Sequence, residues 1–183
     1  MSASPPSNER CTARAILCLG FFMSLVLFTA QADASPSVTA KTVKNYRYEL
    51  LLEKRQAPLK DGFFQTGKTP DDFLTVRLIS YSLGRLNADR LNDAAVVLAA
   101  SPMGSGSFFE LTVLYTEPSD RTIRQSNSIV LGDRIKIRTL RIQSGKIRVE
   151  YDAHGPDDPS CCPKTRTLRT FHLINGQLTD TDL

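Results

Sequence analysis

Apolar and polar residues alternate with a period of two along most of the chain after Asn45, the pattern of half-buried β-strands. The clearest alternating segment covers 73–83, whereas 94–100 (AAVVLAA) is continuously apolar, as in a buried strand. A third strand candidate covers 108–115. No window longer than about ten residues has the 3.6-residue period of a helix. The pattern therefore predicts many strands and little helix.

Two hairpins in the C-terminal half have a register that the sequence defines. The turn at Ser144 and Gly145 predicts the pairs Ile142 with Ile147, Leu140 with Val149, Arg141 with Arg148 and Thr139 with Glu150. One face of this hairpin is then apolar and the other polar. Upstream, Ile135 and Ile137 have the wrong parity for the apolar face, so we expect a bulge or a sheet switch near Arg138 and Thr139.

The dipeptide Asn175-Gly176 is the strongest hairpin signal in the chain. It predicts that Leu173 pairs with Leu178 and that His172 pairs with Thr179. Turn signals recur at short intervals, which is typical of sandwiches and barrels. We therefore expect an all-β fold, an antiparallel sandwich or partly open barrel of about eight to ten short strands.

The N-terminus has the three regions of a secretory signal. A polar start with two arginines precedes a 16-residue uncharged run over 15–30, and Ala32-Asp33-Ala34 supplies a cleavage site. The run is shorter than the about 20 residues of a spanning helix. We predict a signal peptide over 1–34 cleaved after Ala34, with no membrane span left afterwards. A flexible lead-in over 35–44 and a single β domain over 45–183 follow.

Export changes what the cysteines mean. Cys11 and Cys18 leave with the signal, and Cys18 lies inside the apolar run, where a lipoprotein cysteine is not expected. The mature chain keeps Cys161 and Cys162, in a periplasmic or secreted location that permits disulfides. A proline-bounded turn surrounds this pair, so we predict a vicinal disulfide. The alternatives are a buried thiol pair that stiffens the loop, a redox pair, and a soft-metal site completed by His154.

The composition offers little for catalysis. Two histidines and no tryptophan occur among 183 residues, of which 41% are hydrophobic. This composition excludes collagen-like, low-complexity and multi-span membrane proteins. We expect no catalytic residues and a non-enzymatic role.

The net charge of +4 is concentrated on one hairpin. Between Arg134 and Arg148 the chain has six basic residues and no acidic one. The predicted anion-binding face consists of Lys136, Arg138, Arg141, Lys146 and Arg148. Directly opposed arginines destabilise a sheet unless an acid or a bound anion lies between them. Glu150 is a diagonal neighbour that would supply the acid, and a merely solvated face is the alternative. We expect no nucleic-acid partner.

A loop between two strand candidates carries Asn87, Asp89 and Asp93. Oxygen side chains at alternate positions before a later carboxylate resemble a calcium loop, because calcium needs about 6–8 oxygen ligands. However, Arg85 holds the first ligand position and Arg90 stands where a glycine would permit the turn. We therefore expect a structural turn in which an arginine pairs with Asp89 or Asp93 in place of the ion. A working Ca²⁺ site is the alternative.

These loops, in this order, resemble those of an uncharacterised family of small secreted bacterial proteins. The family pattern has an Asp/Asn-rich loop, a Gly-Ser-Gly loop and a GPDDPxCCP segment. The matching residues are Gly84, Asn87, Asp89, 93–98, 104–106, Phe108, 131–134, 155–158 and 161–163. The resemblance implies export and a shared β domain, and it implies no established activity. This chain departs from the pattern at Arg85, Ala88 and Arg90, where the family loop looks most calcium-like.

Taken together, the sequence predicts an exported, non-enzymatic envelope protein that binds a partner through its loops or its basic sheet face. The partner would be an envelope component or an anionic ligand. One alternative is a metal- or thiol-dependent site built on His154, Cys161 and Cys162. Another is a calcium-stabilised adhesion-type module on the Asn87 loop. Apart from Ca²⁺ or a soft metal, no cofactor is expected.

Overall fold

The computed structural model describes residues 37–104, 106–156, 158–159 and 162–181. Within these ranges one short helix and twelve strands occur, in chain order: α1 Ala40–Lys44, β1 Arg47–Glu49, β2 Gln56–Pro58, β3 Phe63–Thr66, β4 Leu74–Gly84, β5 Asp93–Pro102, β6 Phe108–Thr116, β7 Ile123–Gln125, β8 Ile129–Asp133, β9 Lys136–Gln143, β10 Lys146–Ala153, β11 Thr165–Ile174 and β12 Gln177–Asp180. All strand pairs are antiparallel.

The strands form three layers. A central sheet has the order β3-β4-β5-β6-β7, with β8 also paired to β6, and an outer sheet has the order β12-β11-β10-β9. One apolar core lies between these two sheets, and a second lies between the central sheet and an N-terminal cover made of α1, β1 and β2. The predicted all-β antiparallel sandwich is confirmed. There are more strands than the predicted eight to ten because three of them are only three residues long, too short for alternation to reveal.

Strand β5 explains why 94–100 is continuously apolar. Ala95, Val97 and Ala99 pack into the core against the outer sheet, and their neighbours along the strand pack under the N-terminal cover. Every residue from Asp93 to Ala100 is buried. A strand that is covered on both faces loses the alternation of a half-buried strand.

Both predicted hairpin registers are confirmed. The β9–β10 and β11–β12 pairs have every cross-strand partner that the sequence indicated. The predicted bulge is also present, since Glu150 pairs with Thr139 and Tyr151 with Ile137, leaving Arg138 as the extra residue. The bulge restores the parity of Ile137, which packs against the core.

The flexible lead-in predicted over 35–44 is wrong for the part of it that the structure describes. Thr39 caps α1 by accepting a hydrogen bond from the Thr42 N–H, and Val38 and Val43 are almost fully buried. Val38 N donates to the Asn92 carbonyl at 3.0 Å. The segment is too short to show a helical period, and its order comes from tertiary packing against the central sheet.

The described residues from 37 onward belong to one compact unit. The predicted signal peptide over 1–34 lies outside the described residues. In the described ranges, no helix has the length and apolar character needed to cross a membrane.

Candidate functional site

The far face of the outer sheet carries the basic residues that the sequence singled out. Ile147 and Val149 of β10 point into the core, so alternation directs Lys146 and Arg148 to the opposite face, where both are exposed. Arg141 is the direct cross-strand partner of Arg148 and is exposed as well. We call this surface the basic face.

The acidic residues near the basic face already have partners. Arg138 donates from Nε to both carboxylate oxygens of Asp152, at 2.8 and 2.9 Å, and its second nitrogen lies 2.7 Å from the same group. Glu150 pairs with Arg166 of β11. These hydrogen bonds lower the pKa of both Asp152 and Glu150.

Two expectations about this face are therefore corrected. Arg138 is paired with Asp152 and does not contribute a free charge. Glu150 does not neutralise the Arg141–Arg148 pair because Arg166 holds it. The cause is the bulge, which moves Arg138 out of the alternation and next to Asp152 on the neighbouring strand. No ion pair among the described residues involves Lys136, Arg141, Lys146 or Arg148.

The basic face continues onto β11. Thr170 pairs with Arg148, and His172 pairs with Lys146, so their side chains share the face with the basic residues. The His172 Nε2 atom is closed off from solvent and has no hydrogen-bond partner. The sequence analysis paired His172 with Thr179 and did not connect it with the basic hairpin.

The Asn87 loop connects β4 to β5 and is held by its own oxygen side chains. Asp93 Oδ2 accepts from Leu86 N at 2.8 Å, Asn87 Oδ1 from Asp89 N at 3.1 Å, and Asp89 Oδ1 from Leu91 N at 2.8 Å. The second carboxylate oxygens, Asp93 Oδ1 and Asp89 Oδ2, are buried without a hydrogen-bond partner. Burial, together with the charge of Asp89, raises the pKa of Asp93 to about 6. The backbone hydrogen bonds to Asp93 lower its pKa and oppose this shift only in part.

The expected arginine substitute for an ion in this loop is absent from the described residues. Arg85 and Arg90 are both exposed, and neither forms an ion pair with Asp89 or Asp93. Arg90 adopts the left-handed conformation, with φ of 66°, at the position where a glycine was expected. The arginine thus keeps the turn of the backbone while its guanidinium stays in solvent.

The cysteine loop is described only in part. Cys161 lies outside the described residues, as do Asp157 and Ser160, so the vicinal disulfide stays a prediction. Cys162 is not a free thiol. His154 Nε2 is buried and has no hydrogen-bond partner in the described part of the chain. No group of three or more His, Cys, Asp or Glu side chains suited to a metal occurs within the described ranges.

Asp158 organises the start of the same loop. Its Oδ2 atom accepts hydrogen bonds from the backbone N–H groups of Gly155 at 2.9 Å and Lys164 at 3.0 Å. These bonds lower the pKa of Asp158. The carboxylate therefore fixes the turn that leads from β10 to β11.

Sequence analysis also missed the buried carboxylate of Glu110. Glu110 of β6 is only 1% exposed, and its two oxygens accept from the N–H groups of Leu51 and Leu52, each at 2.9 Å. It thereby attaches the β1–β2 turn of the N-terminal cover to the central sheet. A single glutamate in the apolar segment FFELTVLY was the available signal, because an acid there needs a buried partner.

Comparisons with protein-family models, with curated proteins and with solved structures find no match. Function therefore has to be argued from the geometry of the described residues. The resemblance to the secreted bacterial family stays a prediction.

Proposed function

We propose that the protein is exported to the bacterial envelope and binds an acidic polysaccharide, without catalysis, on the basic face of the outer sheet. The observation that carries this proposal is the direct pairing of Arg141 with Arg148 while neighbouring acids are engaged elsewhere. Export is supported by the signal-type sequence over 1–34.

An anionic polymer satisfies the electrostatics of this surface better than water does. Opposed arginines repel each other across the strands, and an anion between them removes that cost. Lys146 is the first residue of β10 and lies beside the turn, close to the arginine pair. Lys136 lies at the opposite end of β9. A row of cations along a strand pair suits a chain of repeated carboxylates, because each contact is weak and the contacts add along the polymer.

Retention on immobilised polygalacturonate tests the proposal. The variant Arg141→Gln/Arg148→Gln removes two charges from the basic face, whereas Arg47→Gln/Lys68→Gln removes two exposed charges from the cover and the β3–β4 turn. Each basic side chain near an anionic surface contributes about 1 kcal/mol. We expect the first variant to bind at least about tenfold more weakly and the second to bind like the parent.

The salt dependence completes this experiment. Exposed charges are screened, so binding by the parent should weaken steadily as sodium chloride is raised. Equal retention of the two double variants, or retention that salt does not change, would contradict the proposal. Protein exported from a bacterial host serves as the sample, and its mass before and after reduction reports cleavage after Ala34 and a bond between Cys161 and Cys162.

A further inference from the structure

The Asn87 loop contains two carboxylates that are only half satisfied. Asp93 is completely buried, and one oxygen of Asp93 and one of Asp89 have neither solvent nor a hydrogen-bond donor. The charge of Asp89 also contributes to raising the pKa of Asp93. Two open carboxylate oxygens are thus enclosed in one loop.

This arrangement costs free energy unless a positive group completes it. Backbone N–H groups compensate the Asp93 carboxylate only in part, and leaving a buried carboxylate oxygen without a donor is unfavourable. The two nearest candidates in sequence, Arg85 and Arg90, are exposed and form no ion pair with the loop. The structure itself therefore points to a ligand that carries positive charge and prefers oxygen.

We propose that this loop binds a calcium-type divalent cation between Asp89 and Asp93, with the Asn87 amide oxygen as a third ligand. The amide oxygen of Asn87 accepts one hydrogen bond and has a second lone pair available. Calcium takes oxygen ligands in flexible geometry, so carbonyl groups and water complete its shell. The chemistry is binding alone, with no covalent or redox step.

The loop has access to solvent on one side. Asn87 forms part of the wall of a cleft of about 380 Å³, together with Glu117 and Asn175. Asn87 is the member of the proposed site that borders this cleft, so we infer that a cation would approach the loop from the Asn87 side. With two carboxylate ligands, the affinity belongs to the weak range of extracellular calcium modules, a Kd of about 10⁻⁴–10⁻³ M.

Calorimetric titration of CaCl₂ into the chelator-treated full protein tests this site directly. We expect one bound ion and a higher melting temperature with calcium than with chelator, because a ligand that binds the folded state stabilises it. The variant Asp89→Asn should weaken binding at least about tenfold. Asp71→Asn removes the same charge from an exposed turn and should bind like the parent.

Asp93→Asn is a second variant for which we expect the same loss of binding. If Asp93→Asn does not fold, Asp89→Asn still tests the site, because Asp89 is less buried. Absence of both heat and a melting shift in the parent at about 5 mM CaCl₂ would overturn the proposal. So would equal calcium affinities of Asp89→Asn and Asp71→Asn. Polygalacturonate retention is independent of this outcome, because the loop and the basic face are separate sites.

Discussion

Arginine has two different roles in the outer sheet, and the position of each side chain decides which. Arg169 is half-buried and binds Asp180 of β12 while donating to the Val130 carbonyl of β8, so it fastens the outer sheet to the central one. Arg141 and Arg148 lie on the opposite face without an ion pair. The first kind of arginine serves stability, and the second is available for a ligand.

Glu110 is the clearest single-residue determinant of how the N-terminal cover is attached. A glutamine at this position keeps the volume but turns an NH₂ group toward a backbone N–H, so one donor loses its acceptor. We expect Glu110→Gln to lower the free energy of unfolding by about 1–3 kcal/mol. Urea unfolding measures the change.

The matched control for this prediction is Glu53→Gln, which removes the same charge from the β1–β2 turn itself. Surface changes of this kind are usually within about 0.5 kcal/mol of neutral. Equal losses in the two variants would show that the two hydrogen bonds to Glu110 do not hold the cover.

At the scale of elements, the two-residue turns determine the outer sheet. Ser144-Gly145 and Asn175-Gly176 both have positive φ at each residue, as type I′ hairpin turns require. Turn chemistry and parity together define the register, which is why both hairpins were predictable from sequence.

The two turn glycines differ in their surroundings, and this difference is testable. A Cβ on Gly145 would meet nothing within 4 Å, whereas one on Gly176 would come within 2.4 Å of the Tyr115 hydroxyl. Gly145→Ala should cost about 1–2 kcal/mol for the left-handed backbone alone. Gly176→Ala should cost at least about 1 kcal/mol more, because Tyr115 must move.

Thermal unfolding of the two alanine variants provides the comparison. The cost of the left-handed backbone is common to both variants. The additional loss of stability in Gly176→Ala therefore measures the effect of the contact with Tyr115. If both variants lose the same stability, the close approach of the β11–β12 turn to β6 is not present in solution.

Other elements were not predictable, for reasons that lie in tertiary structure. Val38 and Val43 belong to a segment without periodicity, and only the central sheet gives them a buried environment. The bulge was expected near Arg138. The ion pair of Arg138 with Asp152 was not, because it depends on the direction in which the bulge turns the Arg138 side chain. In the Asn87 loop, the ligand-like residues were visible, but the burial of their free oxygens was not.

In the molecule as a whole, the buried layers provide stability, and the exposed face of the outer sheet provides the proposed binding surface. The central sheet is covered on both faces by apolar cores, whereas the outer sheet has one face in a core and the other in solvent. This exposed hairpin carries four cations that form no ion pair with any described residue: Lys136, Arg141, Lys146 and Arg148. The acids of this face, Glu150 and Asp152, are already paired with arginines, so the surface has an excess of positive charge, which suits a flexible anionic chain.

The most direct test of this account is a map of amide chemical shifts in ¹⁵N-labelled protein titrated with an oligogalacturonate. We expect the largest shifts along β9 and β10, at Arg141, Lys146 and Arg148, and we expect them to disappear at high salt. Unchanged amides in β9 and β10, with the largest shifts in the N-terminal cover or the central sheet, would contradict it.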